Sequence, residues 1–379
     1  MRSRLLIPLL IIFLYPAAVF SQTDLDIQRD ANDIVISWNG GGVIQTTSSL
    51  SNWEAMLDSP SPLRLAQEEL ASRQFFRVAS TWGTRAELLD ANSEMSVAGL
   101  DGKIYVLGGY PSSRVSVATV QIYDASLDAW SYGTSLPQAL NHTMAASSGG
   151  KIYLIGGQIS AGGSGPFVDT VYEYDPVTTE WTTKSPMPTA RSGGAAAVVD
   201  GLIYVAGGRP PRGNDFAVYS PAEDKWTTLP NLPTQRNHIA VDSIDGKVYV
   251  AGGRFGAGFS SELTNILEVY DIAANSWSTK APMPTIRSGV NGIAVKGCFY
   301  VFGGEGDDEA EHGVFEEVEL YHPGTDSWTK LEPFPIPVHG VTGAVFLDGL
   351  IYLPGGGVSQ GGSSGGTQHQ VFRIAHECL

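Results

Sequence analysis

Six diglycines divide the chain from residue 80 onward into similar lengths. They are Gly108-Gly109, Gly156-Gly157, Gly207-Gly208, Gly252-Gly253, Gly303-Gly304 and Gly355-Gly356, and their first members lie 48, 51, 45, 51 and 52 residues apart. Each closes an apolar run, KIYVLGG, KIYLIGG, LIYVAGG, KVYVAGG, CFYVFGG or LIYLPGG, with a tyrosine four residues before the second glycine. A variable stretch follows, then a tyrosine and, seven residues later, a tryptophan: Tyr123/Trp130, Tyr174/Trp181, Tyr219/Trp226, Tyr270/Trp277 and Tyr321/Trp328. Text such as YDPVTTEW reads as strand, tight turn, strand, so each unit is two hairpins of short antiparallel strands. One four-stranded sheet cannot bury both of its faces. Sheets stacked around an axis bury them against each other, which makes the chain all-β and radial. The aromatic pairs are expected between neighbouring sheets, with the diglycine letting the inner backbone pass close beneath the rings.

The diglycine, Tyr-x6-Trp and the Pro-x-x-Arg that heads several units together resemble the kelch motif. The resemblance covers roughly residues 80–379 and implies a six-bladed kelch-type β-propeller. From a tryptophan to the next diglycine is 26 residues at five places, Trp82 to Gly108 among them, and 27 from Trp328 to Gly355. Trp82 therefore reads as the last strand of a unit whose other strands are missing upstream. After the sixth diglycine comes QVFRI with Phe372, and the chain ends where a tryptophan is due. The strand around Trp82 is expected to complete the last blade and close the ring, leaving no open blade edge.

Residues 22–79 fall outside the repeat. DIVISWNG, GVIQTTSSL and RQFFRVAS read as short strands broken by Asn-Gly and Gly-Gly. The segment resembles small β-sandwich modules, fibronectin-like in size, at the front of secreted bacterial proteins. It is expected to be an accessory module or a capping extension. Residues 1–21, with Arg2 and Arg4 ahead of apolar Leu5–Phe20, read as a signal peptide rather than a membrane anchor, because 16 apolar residues are short for a span. This places the chain outside the cytoplasm, secreted or periplasmic, with no stable membrane insertion after cleavage. Export permits a disulfide between the two cysteines, Cys298 and Cys378, and buried thiols are the alternative. A net charge of −16 argues against nucleic acid, which requires clustered Lys and Arg.

Sixteen residues before each first glycine stand Asn92, Leu140, Arg191, Arg236, Arg287 and His339. All are expected at the head of an innermost strand, facing the mouth of the central channel. The residues after the diglycines add Arg209 and Arg254, and His238 lies beside Arg236. Guanidiniums suit carboxylates because the planar fork donates two parallel hydrogen bonds. The kelch resemblance implies partner binding at this strand position. Asn92, Arg191, Arg209, Arg236, His238, Arg254, Arg287 and His339 are thus the candidate ligand-binding residues, for a protein or acidic glycan partner. A purely structural role for the arginines, bonding loop carbonyls or carboxylates of a neighbouring blade, stands against this. The acidic stretch 305–317 lacks calcium-loop spacing and reads as a solvated loop.

No nucleophile elbow or phosphate loop is present, and no cofactor or metal is called for. The favoured function is non-catalytic binding. The alternative is a periplasmic epimerase or mutarotase of acidic sugars, similar to sialate mutarotases of kelch type. There arginines would hold the carboxylate and His339 or His238 would move protons. A copper radical oxidase is disfavoured because no histidine pair has ligand spacing.

Overall fold

The computed structural model describes residues 25–30, 33–38, 43–47, 54–55, 63–66, 75–79, 81–160, 165–306, 309–310 and 312–378. Residues 1–21, read above as a signal peptide, lie outside them. The described residues form two compact units. One holds the N-terminal strands with residues 81–83 and Phe372–Glu377, and the other holds Thr84–Val371 with Cys378.

In the first unit, β1 (Leu25–Asp30), β2 (Asp33–Trp38), β3 (Val43–Thr47), β4 (Glu54–Ala55), β5 (Leu63–Ala66) and β6 (Phe75–Ala79) make two three-stranded antiparallel sheets, β1-β2-β5 and β4-β3-β6. Strand β7 (Trp82–Thr84) follows, and its sheet partners come from the far end of the chain.

The repeat folds as read, into six sheets and no helix among the described residues. Blade 1 is β8 (Met95–Leu100), β9 (Lys103–Leu107), β10 (Val120–Asp124) and β11 (Ala129–Tyr132). Blade 2 is β12 (Met144–Ser148), β13 (Lys151–Ile155), β14 (Val171–Asp175) and β15 (Glu180–Lys184). Blade 3 is β16 (Ala195–Val199), β17 (Leu202–Ala206), β18 (Phe216–Ser220) and β19 (Lys225–Thr228). Blade 4 is β20 (Ala240–Ile244), β21 (Lys247–Ala251), β22 (Leu267–Asp271) and β23 (Ser276–Lys280). Blade 5 is β24 (Asn291–Val295), β25 (Cys298–Phe302), β26 (Val318–His322) and β27 (Ser327–Lys330). Ahead of blade 6 the short β28 (Val341–Thr342) pairs in parallel with β8 of blade 1, and the blade itself is β29 (Val345–Leu347), β30 (Leu350–Pro354) and β31 (His369–Arg373). The sheet order β29-β30-β31-β7 closes the ring with the strand that carries Trp82, as expected.

First strands pack against one another around the axis, and fourth strands are mostly exposed. Second strands are buried along most of their length, so they read as continuous apolar runs rather than alternating ones. The core is divided into compartments between blades: one holds Leu107 and Val120 of blade 1 against Ile152, Leu154 and Tyr174 of blade 2.

The repeat tyrosines and tryptophans sit directly opposite each other on third and fourth strands. Tyr174 and Trp181 have ring centroids 4.9 Å apart, and Tyr321 and Trp328 5.2 Å apart. Trp82 and Phe372 form the sixth such pair, at 5.0 Å. Each tryptophan of blades 1 to 5 also donates its indole N–H to a backbone carbonyl just beyond the fourth strand of the blade before it. The acceptors are Ala86, Thr134, Ser185, Pro230 and Ala281, at 2.7–3.0 Å. The aromatic pair therefore fills the space between blades and fastens them together.

The diglycine works differently from the expectation. What passes closest to the first glycine in blades 1 to 5 is the backbone of the next blade rather than the rings of the Tyr/Trp pairs. At Gly303 (φ 55°) a Cβ would stand 2.3 Å from the Val338 carbonyl oxygen, and at Gly207 2.6 Å from that of Arg236. The second glycine then donates its N–H to the same carbonyl, as Gly304 to Val338 at 2.9 Å. No side chain fits there, and the left-handed backbone excludes most residues independently.

Cys298 and Cys378 are joined by a disulfide, with Cα atoms 5.1 Å apart, which decides between the two sequence readings in favour of the bridge. It ties the segment after β31 to the second strand of blade 5.

Trp82 is only 8 % exposed. Trp82→Ala empties the place of the sixth aromatic pair and is expected to lower stability by about 3–5 kcal/mol, measured by denaturant unfolding. Trp82→Phe should recover most of that loss.

Candidate functional site at the axial mouth

Two rings of six residues meet at one end of the axis, one residue of each ring per blade. The first ring is Glu94, His142, Gly193, His238, Gly289 and Gly340. All six have left-handed backbone, with φ between 49° and 68°. Each of the last five donates its N–H to the carbonyl of the ring member in the preceding blade, at 2.7–3.2 Å, from His142 to Glu94 around to Gly340 on Gly289. The second ring is the residue following each diglycine: Tyr110, Gln158, Arg209, Arg254, Glu305 and Gly357. Backbone bonds tie each member of the second ring to the residue that precedes a member of the first, as between Arg209 N–H and Ser192 O at 2.8 Å.

The side chains of these rings converge into one buried polar cluster. Glu94, His142, His238, Arg209, Arg254 and Glu305 are 1–7 % exposed. Asn141 Oδ1 accepts the His142 Nδ1 proton, and Asn237 Oδ1 accepts that of His238 at 2.6 Å, so both Asn-His dipeptides turn an Nε2 lone pair inward. Arg209 Nη2 lies 2.7 Å from His142 Nε2 and 3.4 Å from that of His238, and its Nη1 donates to Ala257 O at 2.9 Å. Arg254 donates to the Glu305 carboxylate, and Glu94 Oε2 lies 3.0 Å from His142 Nε2. Burial lowers His238 well below its usual range, with Arg254 and Arg209 pushing the same way. His142 is lowered by burial, against the attraction of Glu94. Burial alone would raise the Glu94 carboxyl, but the basic groups around it, His142, His339 and Arg254 among them, hold it low. The Gly/Ser-rich loop after the sixth diglycine lies against this cluster: Gly361 N–H donates to Glu305 Oε2 at 2.8 Å, and a Cβ on Gly362 would strike Tyr110.

Four of the eight residues expected at the mouth are therefore in the cluster: Arg209, His238, Arg254 and His339. The other four are placed inside their blades. Arg191, Arg236 and Arg287 are 0–1 % exposed. Arg191 donates to Gly207 O at 3.1 Å and Asp215 O at 2.7 Å. Arg287 donates to Gly303 O at 2.9 Å, Glu317 O at 2.7 Å and Glu319 Oε2 at 2.9 Å. Arg236 bonds Val250 O at 3.0 Å and the Glu268 carboxylate. Asn92 occupies the same slot in blade 1 and serves the same way, Nδ2 donating to Gly108 O at 2.6 Å. The arginine recurs because it satisfies carbonyls of its own blade where the diglycine backbone turns away. Burial lowers the Arg191 guanidinium to about 10, so it remains charged at neutral pH.

His339 is not the sixth member of that slot. Val338 is, since its carbonyl receives Gly304 N–H as the Arg287 carbonyl receives Gly253 N–H. Blade 6 carries one extra residue, absorbed between β28 and β29 at Gly343 (φ 94°). The 27-residue interval was the available signal. Glu94 and Glu305 escaped sequence reasoning: one precedes the first diglycine, and the other stands in a loop that otherwise reads as solvated.

Below the cluster, Asp242 of β20 accepts the Ala294 N–H of blade 5 at 2.7 Å. Burial pushes its carboxyl up to about 6.

A closed all-β propeller with a polar plug at one end of its axis is the class that this architecture defines. The sequence comparisons agree. A Kelch-repeats domain, of the KLHDC2/KLHL20/DRC7 description, matches residues 80–232 and 141–356. The chain belongs to the kelch-repeat family. It is 34 % identical over 297 residues to Kelch-like protein terF of Aspergillus terreus, covering 71 % of this chain and 61 % of that one. It is 26 % identical over 291 residues to Beta-scruin of Limulus polyphemus, covering 74 % of this chain and 26 % of that protein. The chain thus spans about three-fifths and a quarter of these relatives' lengths. Among solved structures, that of YjhT superposes with a TM-score of 0.62 at 17 % identity, over 75 % of this chain and 95 % of that one, a likeness of fold.

Two predictions follow from the buried charges. Arg287→Ala leaves Glu319 buried without its partner and is expected to cost about 3–5 kcal/mol, much of it regained in Arg287→Met/Glu319→Leu; equilibrium unfolding of the three proteins checks this. Asp242 has a raised folded-state pKa, so its contribution is complete below its ordinary value of 3.8 and lost as pH rises through about 6. The melting temperature of Asp242→Asn relative to the parent should therefore rise between pH 4.5 and 8.

Proposed function

We propose that the protein is a non-catalytic interaction propeller that engages a protein partner across its mouth face. The observation that carries this is where the exposed apolar side chains lie. Val115, Ile159, Phe259 and Val358 are 38–64 % exposed, and all stand on the loops that follow diglycines. Leu89, Tyr132, Ile286 and Ile336, also exposed, lie at the ends of fourth strands or on the segments leading to the next blade, which open on the same face. Among the described residues, only Leu127 and Val177 of the exposed large apolar residues sit at the opposite face, on hairpins between third and fourth strands. Apolar residues gathered on one face mark a protein-binding surface. The axial cluster fits this reading as a plug behind the six loops, with Arg209 against His142 and His238 and Arg254 against Glu305.

The same reading includes export. The apolar N-terminal segment and the Cys298–Cys378 disulfide both suit a secreted or periplasmic protein, with the 22–79 segment as an accessory module.

A second reading, epimerisation of an acidic sugar, draws on the meeting of Glu94, Glu305 and His339 with Arg209 and Arg254. It requires the loop after Gly357 to move aside.

The test is affinity capture of partners from cells of the protein's own source, using the parent and Ile159→Asp/Phe259→Asp. The partner should be lost with the double variant while its circular dichroism and melting temperature stay at parental values. Equal capture by both proteins, together with an acidic-sugar-dependent melting shift and accelerated anomer exchange by NMR, would establish the enzyme instead.

A further inference from the structure

We propose that Glu94, Glu305 and His339 hold a divalent transition-metal ion on the propeller axis. His339 is 1 % exposed, and its Nε2 lies 2.8 Å from the Ser359 carbonyl oxygen. A carbonyl only accepts, so Nε2 carries the proton and donates it. The other ring nitrogen, Nδ1, is buried and makes no hydrogen bond. It faces two carboxylate oxygens, Glu305 Oε2 at 3.5 Å and Glu94 Oε1 at 3.8 Å. A cation belongs between that nitrogen and the two anionic oxygens, and separations of 3.5 and 3.8 Å are longer than the roughly 2.7–2.9 Å of a charge-assisted hydrogen bond from a protonated Nδ1, which leaves room for a metal ion in the proton's place.

The geometry suits a metal in that position. One ligand atom from each of the three residues lies within 4.8 Å of the others. Two ligands about 2.1 Å from a tetrahedral ion are about 3.4 Å apart, close to the two nitrogen–oxygen separations here. Two of the ligands are also oriented from behind: His339 by Ser359 O, and Glu305 by Arg254 through Oε1 and by Gly361 N–H at 2.8 Å. Outer partners of this kind fix ring tautomer and carboxylate direction at metal centres. One imidazole and two carboxylates suit borderline ions such as Zn²⁺, Mn²⁺ or Fe²⁺, with the remaining positions open to water or to a ligand atom. The three residues come from blades 1, 5 and 6, so an ion would fasten the first and last blades together across the closure.

Two neighbouring sets do not carry the same inference. Glu94, His142 and His238 also approach one another, but the Arg209 guanidinium lies against both imidazoles. Cys298 and Cys378, beside His322, are joined to each other. The metal proposal is independent of the partner-binding reading.

The experiment uses the untagged chain, stripped with chelator and dialysed, then equilibrated separately with ZnCl2, MnCl2 or CoCl2. Metal content is read by mass spectrometry after desalting, and binding by calorimetry. About one ion per chain is expected, with a higher melting temperature, and Co²⁺ should give visible absorption of a nitrogen- and oxygen-ligated centre. His339→Gln and Glu305→Gln, each verified as folded by circular dichroism, should lose the ion and the melting shift. If one variant fails to fold, the other decides, and one-to-one binding that survives in it overturns the proposal; if both fail, His142→Gln must leave the ion in place, because that residue belongs only to the neighbouring set. No retained ion in the parent with any of the three metals overturns the proposal, as does one-to-one binding that survives His339→Gln.

Discussion

The hydrogen bond from the second glycine of each diglycine to the head of the next blade is the joint on which the molecule depends. It occurs six times, from Gly109 to Leu140, Gly157 to Arg191, Gly208 to Arg236, Gly253 to Arg287, Gly304 to Val338 and Gly356 to Asn92. It sets the distance at which consecutive blades approach near the axis, and it is available only where both glycines lack side chains. The tryptophan N–H bonds do the corresponding work at the outer edge. Between these two fastenings each inter-blade compartment is filled by apolar strands, and hydrophobic burial supplies the stabilisation that the bonds direct.

Buried charge is tolerated at two levels, for different reasons. Within blades, Arg236 with Glu268 and Arg287 with Glu319 are satisfied by a carboxylate and by carbonyls from the same blade. At the axis, Arg209, Arg254, Glu94 and Glu305 come from different blades, so no single blade is electrically complete there. A buried ion pair is weak evidence of net stability, but one broken by losing a partner is costly. The axial charges therefore penalise a ring that is mis-assembled more than they reward one that is correct.

Much of the fold was legible because a repeat states the same physical solution six times. The Tyr-x6-Trp spacing places both rings opposite each other across a hairpin, as at Tyr270 and Trp277, and the interval from Trp82 to Gly108 revealed the seam. The site was harder to read. Counting back from the glycines found the arginine slot, but not that a guanidinium at the head of an innermost strand turns into its blade. A single inserted residue near Gly343 moved His339 out of that slot and onto the axis. Glu94 and Glu305 are far apart in the chain, and only ring closure brings them to one imidazole.

The seam gives the chain a direction in time. Trp82 is made early, but the side chain it packs on, Phe372, and the three strands that precede it in the sheet are made last. Until then a strand and an indole wait without their partners, and blade 1 has no neighbour on one side. Blades 2 to 5 can form in succession as each hairpin pair is completed, because their contacts are local. Closure is a long-range event that pays its loop entropy at the end. A nascent propeller of this design is therefore exposed at one edge throughout its synthesis, and a chain truncated ahead of His369 would lose the ring while keeping most of its blades.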